Sequence, residues 1–75
     1  MPTDYKPVYP QVTVLNDADV QDIRNIYQDS LRNSNFRVIK SLAAKVSEIL
    51  EVTPEERPVQ FLSTVLKDYN YYTQQ

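Results

Sequence analysis

Side chains able to do chemistry are few in kind here. The 75 residues carry ten carboxylates, eight lysines and arginines and six tyrosines, with no Gly, Cys, His or Trp. Without His or Cys there is no Ser-His or Cys-His nucleophile, no thiol and no zinc ligand set. Without Gly there is no P-loop, dinucleotide fingerprint or EF-hand loop, since each needs positive φ or close backbone approach to a ligand. Average usage of roughly 7% would supply about five glycines, so their absence is a real constraint. Carboxylate pairs remain, but glycoside-type hydrolysis needs a walled cleft, and one small core offers few walls. The expectation is a non-enzyme with no catalytic residues, no metal and no cofactor.

What is left is contact chemistry. Tyrosine joins a large apolar body to a polar tip, which suits interfaces. Tyr69, Tyr71 and Tyr72 cluster near the C-terminus, with Tyr5, Tyr9 and Tyr27 elsewhere. Arg37, Lys40 and Lys45 form one charge cluster and Glu51, Glu55 and Glu56 another, both read as solvated faces. A net charge of −2 and a pI near 4.9 lack the basic surplus of a broad nucleic-acid footprint. No apolar run approaches the roughly 18–20 residues that span a bilayer, and no signal-peptide pattern opens the chain. A cytoplasmic protein with no membrane partner is expected.

The elements that hold these residues are legible from spacing. Pro2, Pro7 and Pro10 make residues 1–15 an extended arm, because the residue before a proline is pushed out of the α region. Within it, Gln11-Val12-Thr13-Val14-Leu15 alternates like a short strand, with no second strand candidate to pair with. Residues 16–75 form a three-helix domain. The first helix is placed at 17–32, capped by Asn16 or Asp17, with a stripe of Val20, Ile23, Ile26, Tyr27 and Leu31. Asn33 is expected to end it in the left-handed conformation and Ser34 to cap the next helix. That helix is placed at 35–51, with Phe36, Ile39, Leu42, Ala43, Val46, Ile49 and Leu50 inward. Thr53-Pro54-Glu55-Glu56 reads as a start signal for a single turn at 54–57, interrupted by Pro58. A third helix then begins near residue 58, with Val59, Leu62, Val65, Leu66, Tyr69 and Tyr72 as its stripe and Phe61 at its edge, fraying from Asn70. The fold class is all-α: a small three-helix bundle behind a Pro-rich extended arm.

A single core of this size supplies only about 3–5 kcal/mol, and there is no disulfide to brace it, so a homodimer is expected. The function that follows is a small interaction or regulatory protein acting on a protein partner. Its expected contact surface is Tyr5, Tyr9, Val12 and Val14 of the arm together with Phe61, Tyr71 and Tyr72 of the third helix.

One alternative comes from element order. A strand candidate, a helix, an Asn-Ser-Asn turn and a helix over residues 10–50 resemble the ribbon-helix-helix family of dimeric DNA-binding repressors. The resemblance implies a two-subunit ribbon in the major groove, with Gln11, Thr13 and Leu15 facing DNA and Ser34 and Asn35 beside a phosphate. The strand has no Lys or Arg, the usual inter-helix Gly is missing, and residues 1–50 sum to zero charge. Counterion release, the main source of DNA affinity, would then be weak.

Overall fold

The computed structural model describes residues 6–73. A 3₁₀ turn at Pro10–Val14 leads into α1 (Asp17–Arg32), α2 (Phe36–Leu50) and α3 (Pro58–Thr73). The three helices and the turn pack around one core, with Val12, Ile39, Phe61, Leu62 and Val65 fully buried. The all-α three-helix architecture is as the periodicity implies.

Each boundary has a local cause. Asn16 Oδ1 accepts from the Asp19 N–H at 2.8 Å and the Asp19 carboxylate accepts the Asn16 N–H in return, a reciprocal capping box that starts α1. At its other end the expected roles shift by one residue. Asn33 stays at φ −95°, and it is Ser34 that turns left-handed at φ 54°. The turn is a Schellman closure, with the Asn35 N–H on the Ser30 carbonyl at 2.8 Å, and closure requires left-handed backbone one position beyond the C-cap. Ser34 therefore cannot cap α2. Asn35 does so instead, accepting the Val38 N–H at 3.4 Å. The end of α2 repeats the device, with Glu51 at φ 58° and the Val52 N–H on the Ser47 carbonyl at 3.0 Å.

Three further expectations are corrected. Residues 11–15 form no strand, and none exists among the described residues. Pro10 fixes φ in the helical range, and Val12, with no strand to pair with, instead enters the core, so the backbone closes as a 3₁₀ turn. The residues that the DNA-binding resemblance assigns to a ribbon lie in this 3₁₀ turn and at its C-cap. Residues 54–57 make no helical turn either. Pro58 has no N–H for the Pro54 carbonyl and pushes Arg57 away from the α region, so helix begins only at Pro58. Finally, α3 does not fray at Asn70 but continues to Thr73, whose Oγ1 donates to the Tyr69 carbonyl at 2.9 Å.

Val8 and Tyr9 of the arm are fastened to the helices. Asp68 is fully buried in α3, and its Oδ2 accepts the N–H groups of Val8 at 2.8 Å and Tyr9 at 2.7 Å. The Tyr9 ring meets Phe61 edge-on, centroids 5.3 Å apart, and its hydroxyl donates to Glu56 Oε1 at 2.5 Å. Tyr69 ties α3 to the start of α1 through its hydroxyl on Asp17 Oδ1 at 2.5 Å. Every one of these contacts joins segments that are distant in the chain.

Candidate functional site

The main apolar opening lies where α2 and α3 begin. Along α2 the inward stripe is Ile39, Ala43, Val46 and Leu50, and Phe36 continues it one turn towards the N-terminus. Among the described residues no element covers that extra turn, and Phe36 is left 58% exposed. The opposite wall is made by the chain that climbs from Glu51 to α3. Arg57 supplies the carbonyl for the first α3 bond, from the Phe61 N–H at 2.8 Å, and Pro58 and Val59 follow. Tyr27 holds this corner against α1, its hydroxyl donating to the Val59 carbonyl at 3.3 Å.

Between the walls runs a furrow of about 400 Å³ lined by Phe36, Ile39, Lys40, Arg57, Pro58 and Val59. Lys40 and Pro58 also border a shallower extension of about 200 Å³, which continues past Ala43, Ala44 and Ser47 beside Pro54 and Glu56. The main furrow is apolar along its floor and carries a cation on each wall, Lys40 and Arg57, both exposed. α2 and α3 both start at it, so two positive helix ends add to the potential there. The nearest carboxylate on the extension, Glu56, is engaged by the Tyr9 hydroxyl. Such a surface is suited to an apolar side chain accompanied by negative charge.

Two tyrosine–carboxylate pairs elsewhere join distant segments. Burial, then the Glu56 hydrogen bond and charge, push the Tyr9 phenol well above its usual range. The Asp17 hydrogen bond is the main cause of the same upward direction at Tyr69. Both phenols stay protonated at neutral pH. No group of three Asp, Glu, His or Cys able to hold a metal occurs among the described residues.

The residues singled out from sequence are not gathered into one surface. Tyr5 lies outside the described residues. Tyr9, Val12 and Phe61 are corrected from contact residues to core residues, since the 3₁₀ turn brings Val12 and Leu15 inward together and the buried face of α3 includes Phe61. Val14 is 67% exposed on the 3₁₀ turn. Tyr71 is exposed and meets Tyr72 edge-on at 5.3 Å, while Tyr72 is half-buried and packed on the core. Gln11, Thr13, Ser34 and Asn35 are all exposed, with Ser34 and Asn35 shaping the α1–α2 turn.

Two residues were missed. Phe36 reads as an ordinary member of the α2 stripe, and periodicity cannot tell that the stripe outruns its neighbours. Asp68 had a usable signal: it falls three residues after Val65 and beside Tyr69, in an otherwise apolar register of α3. A carboxylate there must find buried donors.

Over residues 1–75 the chain matches the model of a family described as a domain of unknown function (DUF8484), and it belongs to that family. No curated protein and no solved structure matches it.

Proposed function

We propose that this chain is a cytoplasmic, non-catalytic protein–protein interaction module with a regulatory role, and that it binds through the furrow between the starts of α2 and α3. The observation that carries the reading is Phe36: a large ring 58% exposed beside Val59 and flanked by Lys40 and Arg57. Single exposed apolar residues are common, but an exposed aromatic continuing a core stripe into an open groove with cations on both walls is the anatomy of a recognition site. A partner segment presenting an apolar side chain with acidic neighbours fits it. Aromatic and arginine residues also dominate binding energy where interfaces exclude water.

Affinity capture from the native host, with wild type and Phe36→Asp compared, tests this. The expected result is a partner retained by wild type and lost by the variant, with helical circular dichroism and the unfolding midpoint of the variant held near wild type. Equal capture by both proteins would remove the furrow from consideration.

A further inference from the structure

The chain itself carries a segment of the chemistry that the furrow fits. Placed at 100° per residue, Asp19, Asp22, Ile26 and Asp29 of α1 fall within an arc of about 80°. Ile26 is 42% exposed, and Asp22 and Asp29 are exposed on either side of it, one turn before and one turn after. Arg24 lies well outside that arc, and Arg32 borders the surface beside Asp29 at its far end. The result is an apolar ridge bordered by carboxylates, on a helix with four aspartates against two arginines. α2 has the opposite balance, Arg37, Lys40 and Lys45 against Glu48.

We propose that the furrow of one copy receives the Ile26 ridge of α1 from a second copy, Ile26 seating against Phe36 and Val59 while Asp22 and Asp29 approach Lys40 and Arg57. This rests on the reading of the furrow as a recognition site and names its occupant. Two copies related by a two-fold axis make the contact twice, furrow to ridge and ridge to furrow. That doubling matters because one contact is small. A stable pair needs about 800 Å² from each partner, a modest share of the 5468 Å² this chain exposes. Charge complementarity fixes the register and disfavours furrow-to-furrow or ridge-to-ridge pairing.

A charge-swap exchange tests it with the full chain. One variant carries Lys40→Glu and Arg57→Glu, the other Asp22→Lys and Asp29→Lys, and circular dichroism checks that both remain helical. Sedimentation equilibrium of wild type is expected to give the mass of two chains. Each swapped variant alone is expected to lose at least about tenfold in self-affinity, because like charges then face each other. Mixed in equal amounts, the two variants are expected to pair again, since both contacts recover opposite charges. Ile26→Ala, at an exposed site that does not threaten the fold, is expected to weaken the wild-type pair. A wild type that stays monomeric, a dimer that neither swap weakens, or a mixture that fails to recover would overturn the proposal. A monomer that still captures a partner through Phe36 would sink self-pairing alone and leave the recognition reading standing.

Discussion

Asp68 shows how much one side chain can hold in a small protein. Its carboxylate takes the buried N–H of Tyr9 and the part-buried N–H of Val8, some sixty residues away, which fixes where that segment lies. Replacing it with Ala would strand the buried Tyr9 donor, at about 1–3 kcal/mol, and also lose the part-buried Val8 bond. We predict that Asp68→Ala lowers stability by about 3 kcal/mol in urea unfolding, with Asp68→Asn in between because its amide oxygen can still accept. The tyrosine–carboxylate pairs give a pH prediction. In the folded chain both Tyr9 and Tyr69 have phenols raised above their ordinary range, so the unfolded chain ionises first as pH climbs. Their contribution is complete below the usual phenol value of about 10 and is lost progressively above it. Unfolding measured from pH 8 upward should show that decline, and it should flatten in Tyr9→Phe combined with Tyr69→Phe.

At the scale of elements, the helices themselves were legible and their joints were not. The first helix, expected at 17–32, is found at those residues because its cap, acidic first turn and apolar spacing agree. The joints depend on which single residue takes positive φ, and in a chain without glycine nothing in the sequence marks it. Asn33 is the better left-handed residue by type, yet the closure geometry selects Ser34. The strand expected at 11–15 failed for a different reason. Alternation puts Val12 and Val14 on one face, whereas the three-residue period of the 3₁₀ turn brings Val12 and Leu15 inward and leaves Val14 exposed. The furrow was illegible because exposure of Phe36 depends on how far the neighbouring helices extend. Two substitutions test the joints. Ser34→Gly and Glu51→Gly remove a side chain from left-handed backbone and should each stabilise by about 0.5–1 kcal/mol. Asn35→Ala should cost about 1 kcal/mol through the lost α2 cap, whereas Ser34→Ala removes no cap bond. Thermal and urea unfolding of the four variants would show the order.

Across the whole molecule, the arm is part of the domain. Tyr9, Val12 and Leu15 share the core with all three helices, so the core runs across the boundary expected between residues 15 and 16. Fully burying one such side chain is worth about 1.5–3 kcal/mol, and a domain this small has only about 3–5 kcal/mol in hand. We predict that a chain lacking residues 1–15 has no cooperative thermal transition, and that Val12→Ala alone lowers the midpoint by several degrees. Deleting the arm to probe binding would therefore report unfolding, and point changes at Phe36 or Ile26 are the sound alternative.

The clasp between Asp68 and the backbone of Val8 and Tyr9 also sets a schedule for biosynthesis. Val8 and Tyr9 cannot lock until Asp68, some sixty residues later, has cleared the ribosomal tunnel, so a nascent chain stalled before Asp68 must wait with the apolar face of that segment unsealed. The clasp then closes only after α3 is translated, and a protease added to ribosome-bound intermediates should find residues 8–15 cleavable until that point.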